Sequence, residues 1–257
     1  MECKLFSSSA RGVVLTDGGG LLYDHVSEGF EALNEGEEKL KRSIELGVGQ
    51  LKIGVSSTLC KYMLLPYLKE FIHRNPHISI SIECQSTNET LKLLDDDKID
   101  IGLIGKPASL KTFNFYYLDN IEDIFVTTKD YLRNLSARGV KKSEILQNST
   151  LMLLDKGNMT RKYIDDYLQE NQIHVKDSID ISNMDLLIDF AKIGVGVACV
   201  IKSIVSKELA DGTLIEIPLG IPIHKREVGF AYKESSKLST SLQTFIKFYE
   251  SYTPEDF

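Results

Sequence analysis

No run of 18 apolar residues occurs in the chain, so it offers no helix able to span a membrane. The opening segment, MECKLFSSSARG, lacks the apolar core of a secretory signal, which makes the cytoplasm the expected compartment. Cysteine is sparse. Cys3, Cys60, Cys84 and Cys199 are far apart and form no C-x-x-C pair. Free thiols are expected, with Cys60, Cys84 and Cys199 acting as small buried hydrophobes near strand ends. The five histidines (His25, His73, His77, His174, His224) fall in no H-E-x-x-H or paired Cys/His spacing, so no zinc site is expected. Asp95-Asp96-Asp97 is a charge cluster at a helix end with no spaced ligand set after it. There is no G-x-S-x-G and no P-loop, and Gly194-x-Gly196 lacks the third glycine of a dinucleotide fingerprint. No cofactor is therefore expected. Basic excess is also missing. With 37 acidic and 30 basic residues the net charge is -7, which argues against a surface that coats nucleic acid.

What is present is ordinary globular composition, 42% hydrophobic and 26% charged over 257 residues, enough to bury one core or more. The informative stretch runs from Gly49 to Pro107. Leu51–Val55 alternates and stops at small hydroxyl residues. Leu64, Leu65, Leu68, Phe71 and Ile72 recur at helical spacing, with Pro66 tolerable near the first turn. Ile78, Ile80 and Ile82 alternate as a strand, Leu91, Leu93 and Leu94 mark a second helix, and a third strand covers 99–104. Strand, helix, strand, helix, strand is the right-handed pattern of an open parallel sheet. Strands are also expected at 113–118 and 121–128. A second unit with the same order follows, with strands at 151–154, 179–181 and 197–201, later strands at 213–217 and 228–232, and a final helix at 242–249.

Two α/β units in tandem predict two lobes around a cleft, and in such sheets ligands bind beyond the carboxyl ends of the strands. Here those ends carry Ser56, Ser57 and Thr58, then Ser86 and Thr87, then Gly105, then Asn158 and Thr160, then Ser182 and Asn183. Helix N-termini leave N–H groups unpaired and favour carboxylate or phosphate. Each residue taken alone is equally a helix cap, which needs the same chemistry. Lys61, Lys106, Lys156 and Arg161 are further sources of positive charge, although most lysines are solvated surface.

Ahead of this region, 1–16 reads as a hairpin, with Lys4-Leu5-Phe6 and Val13-Val14-Leu15 as strands and residues 7–12 as the loop. Residues 17–46 read as one helix capped by Thr16, roughly 45 Å long. On it Val26, Phe30, Leu33, Leu40 and Ile44 follow an alternating four-three spacing, a stripe suited to dimerisation. Gly18, Gly19, Gly20, Gly29 and Gly36 each weaken the helix by about 1 kcal/mol relative to Ala, which a partner would offset. Its 8 acidic and 3 basic residues argue against its lying on DNA.

Lys4-Leu5-Phe6, Arg11-Gly12-Val13, Leu15-Thr16, Gly19, the helix from Leu21, the opening GQLKIGV, Leu64-Leu65-Pro66, Asn75-Pro76, the strand from Lys98 to Leu103 and Gly194-Val195-Gly196-Val197-Ala198 together resemble a LysR-type transcriptional regulator. The resemblance covers essentially the whole chain. It implies an α/β, two-lobed, periplasmic-binding-protein-like effector domain preceded by the remnant of a winged helix-turn-helix and a long linker helix. The implied divisions are a wing remnant at 1–16, a linker helix at 17–48, lobe I at 49–126 with 226–257, and lobe II at 127–225. Nothing ahead of Met1 supplies the family's recognition helix, so a truncated chain lacking base-specific binding is expected. Gly18, Gly20 and Ile201 depart from the family's pattern.

The resemblance further implies that the hydroxyl residues at the strand ends converge on one cleft that binds a small effector. Arg11, in the hairpin loop, is the candidate for touching a DNA phosphate. A homodimer or homotetramer is expected, and no catalytic residue. Two other readings remain open. A two-lobed solute-binding protein for transport would share the cleft but not the helix at 17–46. A small-metabolite enzyme on a related scaffold would need perturbed acid–base groups and would show turnover.

Overall fold

The computed structural model describes residues 4–9, 12–45, 49–107, 109, 112–234 and 238–253. Among them no helix is long and apolar enough to cross a membrane. The chain divides into two compact units, residues 1–49 and 50–257.

In the first unit, strand β1 (Phe6–Ser9) pairs antiparallel with β2 (Gly12–Leu15), from Phe6 opposite Leu15 to Ser9 opposite Gly12. The hairpin is thus built from the serines expected in its loop; backbone pairing needs no apolar side chain. Helix α1 (Asp17–Glu45) follows. Thr16 caps it as expected, accepting from Gly19 N–H at 3.0 Å while its own hydroxyl donates to Lys4 O at 2.6 Å. A Cβ on Gly19 would sit 2.0 Å from Leu5 O, so only glycine permits this close approach. Val26, Phe30 and Leu33 are exposed at 56%, 64% and 71%, leaving the stripe uncovered within one chain. Arg11 and the side chains of Leu40 and Ile44 lie outside the described residues.

The second unit holds two five-stranded sheets. The first is built from β3 (Gly49–Val55), β4 (Ile78–Cys84), β5 (Ile101–Gly105), β6 (Phe113–Ile121) and β12 (Arg226–Lys233), in the order β4-β3-β5-β12-β6. The second is built from β7 (Asp123–Thr127), β8 (Thr150–Leu154), β9 (Asp177–Ile181), β10 (Val197–Ile201) and β11 (Ile215–Glu216), in the order β11-β7-β10-β8-β9. The expected parallel sheets are in fact mixed. β3 runs parallel to β5, and β8 to β9 and β10, but β12 is antiparallel to β5 and β6, and β7 to β10 and β11. The reason is the double crossing between lobes, which brings β7 and β12 in from the opposite end. β7 pairs with β10 from Asp123, opposite Ile201, to Val126, opposite Ala198. The strand expected at 213–217 shrinks to the two residues of β11, an edge position with little burial to enforce length.

In the first lobe α2 (Ser57–Leu59) continues through a π-helical turn (Cys60–Leu64) into α3 (Leu65–Arg74). Of the apolar residues expected on this helix, Leu64, Leu68 and Phe71 are buried, whereas Leu65 and Ile72 remain 49% and 46% exposed. Phe71 meets Phe245 of α10 (Thr240–Ser251) edge-on at 4.9 Å, and Phe230 of β12 stacks on Tyr249 at 4.6 Å. Helix α4 (Thr87–Asp95) presses Thr90 against β3 and β5, where a Cβ on Gly54 or Gly102 would lie within 3 Å of the threonine methyl. The second lobe adds α5 (Lys129–Ala137), α6 (Ile145–Asn148), α7 (Met159–Glu170), α8 (Met184–Lys192) and α9 (Ser206–Asp211). One apolar cluster joins both sheets, running from Leu51, Val55 and Leu103 through Leu59, Ile121 and Ile201 to Met152, Ile181 and Leu187. Of the cysteines expected as buried hydrophobes only Cys199 is buried; Cys60 is half-buried and Cys84 exposed at its strand end.

Candidate functional site

Between the lobes lies a cavity of about 480 Å3. Three helix starts border it, because the loops after β3, β4 and β8 all open there. Ser56 caps α2 by accepting from Leu59 N–H at 3.3 Å, Ser86 caps α4 by accepting from Glu89 N–H at 3.3 Å, and Asn158 caps α7 by accepting from Thr160 N–H at 2.8 Å. In each case the cap satisfies one N–H of the first turn and leaves others directed outward. Ser56, Thr58, Ser86, Thr87, Gly105, Asn158 and Thr160 all line the cavity.

Three residues expected there do not. Ser57 is exposed beside the cap, and Ser182 and Asn183 stand at the start of α8, away from the cavity. Asn183 caps that helix, accepting from Leu186 N–H at 2.9 Å. The same turn faces the first lobe instead. Asp185 accepts from Lys61 Nζ at 2.6 Å and from the Tyr62 hydroxyl, which ties α8 to the π-helical turn of the opposite lobe. Lys61 is thereby engaged outside the cavity. Arg161 is a buried clamp within the second lobe, donating to Leu154 O at 2.9 Å and pairing with Asp165 and Asp180. Lys156 is exposed and does not line the cavity; of the four cations weighed, only Lys106 does.

The centre of the cavity is a group that sequence pattern did not single out. Arg226, the first residue of β12, donates from Nε to Asp123 Oδ2 at 2.8 Å and from Nη2 to Asp123 Oδ1 at 2.9 Å and to Thr160 Oγ1 at 3.2 Å. The guanidinium carbon lies 5.1 Å from the centre of the Tyr163 ring. The Asp123 side chain is fully buried and that of Arg226 is 15% exposed. Burial pushes the Asp123 carboxyl up, and the bidentate guanidinium opposes that shift. Nη1 of Arg226 is the guanidinium nitrogen left over from these bonds; it faces Gly105, where a Cβ would come within 4.0 Å. A planar cation held on one edge by its own carboxylate, with the other edge toward the cavity, is suited to a second oxygen acid.

The other ionisable lining groups are also paired. Lys106 Nζ meets Glu227, and Lys225 Nζ lies 3.0 Å from Glu122 Oε2. Lys225, and then Lys202, hold the Glu122 carboxyl below its ordinary range against the effect of burial. Asp123 opens β7 and Arg226 opens β12, the two strands at which the chain passes from one sheet to the other.

The profile described as LysR substrate binding domain matches residues 45–253. An uncharacterized HTH-type transcriptional regulator of Escherichia coli (strain K12), YeiE, is 23% identical over 246 residues, covering 95% of this chain and 81% of its own length. The regulatory domain of CcmR from Synechocystis PCC6803, solved in complex with 2-PG, aligns with TM-score 0.65 at 19% identity over 78% of this chain and 95% of that one. Full-length OxyR C199D from Pseudomonas aeruginosa aligns with TM-score 0.69 at 19% identity over 95% of this chain and 83% of its own. With the profile spanning the two lobes and the cleft between them, the chain belongs to the LysR family and carries the effector-binding domain of a LysR-type transcriptional regulator.

Proposed function

We propose that the interlobe cavity binds a small organic anion and that its occupancy is the signal this regulator reads. The observation that carries the reading is Arg226, pinned by Asp123 on one edge and presenting the other toward a cavity bordered by three helix starts. Ser56, Thr58, Ser86, Thr87, Gly105, Asn158 and Thr160 are the binding residues on this reading, with Arg226 at their centre. Ser57, Ser182 and Asn183 are left out of it. The cavity takes residues from both lobes, so a ligand gripping both prefers one lobe arrangement and shifts its population. Because the apolar cluster is continuous between the lobes, that change is a small shear rather than a wide opening. Fixed ion pairs around the cavity favour recognition over proton transfer, which sets this reading ahead of an enzyme. The CcmR regulatory domain, similar in fold, was solved in complex with 2-PG, which supports a small-molecule effector here as well.

Self-association follows from the exposed apolar residues. Leu65, Ile72 and Ile82 lie on α3 and β4 of one lobe, and Ile179, Leu186 and Phe190 on β9 and α8 of the other, with Ile193 just past the end of α8. Two such patches on one chain suit a two-fold pairing, and the stripe on α1 adds a third.

The test is thermal shift against small mono- and dicarboxylates, phosphorylated acids and their neutral amides. At least one anion should stabilise the protein saturably, by about 2.7 kcal/mol at a hundredfold excess over Kd, and Arg226→Gln should abolish the shift. Stabilisation by the amides as strongly as by the acids would refute the anion reading. Consumption of the ligand would refute the sensor.

A further inference from the structure

A second cavity, of about 410 Å3, also lies between the lobes. It shares Thr58, Leu59, Ile121 and Ile201 with the first, so a common wall separates the two. Its remaining lining is different in kind. From the first lobe come Tyr62 and Met63, next to the π-helical turn's contact with α8, and Asp119 and Asn120 at the end of β6. From the second come Ser203, Ile204 and Ser206.

The electrostatics are the reverse of those in the first cavity. Lys106, Lys225 and Arg226, with the one carboxylate Glu227, line the first; among the described residues lining the second, Asp119 is the one side chain of formal charge. Asp119 Oδ1 accepts from Asn120 N–H at 2.7 Å, and no lysine, arginine or histidine of the described residues pairs with the carboxylate. Asn120 spends its Nδ2 on the Tyr117 hydroxyl at 2.9 Å, which leaves its carbonyl oxygen as an acceptor. Thus one end of the cavity offers acceptors and a negative charge. The rest combines an apolar wall of Leu59, Met63, Ile121, Ile201 and Ile204 with the hydroxyl residues Thr58, Tyr62, Ser203 and Ser206.

We propose that this cavity is a second ligand site, selective for a small organic amine whose apolar part lies against Met63 and Ile204 and whose ammonium group meets Asp119. The wall of Tyr62 gives such a ligand a route to the lobe arrangement, because the Tyr62 hydroxyl donates to Asp185 on α8. The site uses residues distinct from Arg226 and stands whether or not the first cavity takes an anion.

Methionine separates the two cavities experimentally, since Met63 lines the second and Met159 the first. The full chain, labelled with [13C]methyl methionine and assigned through Met63→Leu, is titrated with phenethylamine and with phenylacetate, similar skeletons of opposite charge. Phenethylamine should move the Met63 methyl signal saturably. Phenylacetate should need at least about five times the concentration, and Asp119→Asn should weaken the amine by about fivefold. Asp119 is exposed, so this variant is expected to fold; Ile204→Trp, which fills the cavity, should remove the response altogether. A Met63 signal unmoved by the amine, moved equally by both probes, or unaffected by Asp119→Asn overturns the proposal. So does a response confined to Met159.

Discussion

At the scale of single residues the molecule turns on Arg226 and Asp123. They are 103 positions apart and meet because the chain crosses between lobes at both. A carboxylate with no exposed side-chain surface and a guanidinium with little form a pair whose loss on one side strands a buried charge. Arg226→Met is therefore expected to cost about 3–5 kcal/mol of stability in urea unfolding, as well as ligand binding. The double variant Arg226→Met, Asp123→Asn should recover a large part of that stability while leaving binding abolished. If the single and double variants unfold alike, the pair does not have the role assigned to it. This is also where sequence reading stopped. The hydroxyls at strand ends were legible because helix capping and anion binding use the same residue types at the same local spacing. The ion pair has no local spacing at all, and only the fold brings its halves together.

At the scale of elements, helical periodicity located α3 and α10, since their buried faces recur every three to four residues. It did not say which residues of a wide apolar face stay uncovered, as Leu65 and Ile72 do on α3. Nor did it foresee that the start of α8 faces a partner element rather than the cavity. There Asp185 is held below the ordinary aspartate range by hydrogen bonds from Lys61, first, and Tyr62, against the pull of burial. A carboxyl lowered on folding adds stability above its unfolded pKa, about 4, and that contribution is lost as pH falls through the lowered folded value. Asp185→Asn should consequently flatten the fall in stability on acidification below about pH 4, while changing little of its slope between pH 6 and 8. Urea midpoints measured across that range check it. An unchanged acid limb would mean that Lys61 and Tyr62 do not select the ionised form. The hairpin and its second strand are legible from Val13, Val14 and Leu15, but β1 and the length of β11 are not, because backbone pairing alone sustains them.

At the scale of the whole molecule, apolar side chains on α1, on α3 with β4, and on α8 with β9 remain exposed in the single chain. Light scattering should show a dimer or larger species. Phe190→Glu on α8 combined with Ile193→Glu just after it, or Val26→Glu combined with Phe30→Glu on α1, should each lower its mass, and a mass unchanged by both would leave these faces without the proposed use. The continuous apolar cluster has a different reach. Leu59, Ile121 and Ile201 belong at once to both sheets' interiors and to the shared wall of two cavities. Cutting the chain at either crossing would leave those side chains wet on both pieces, so neither half is a free-standing body. Heat is therefore expected to take the pair apart in one calorimetric event, and any molecule lodged against that wall to delay the melting of both halves together.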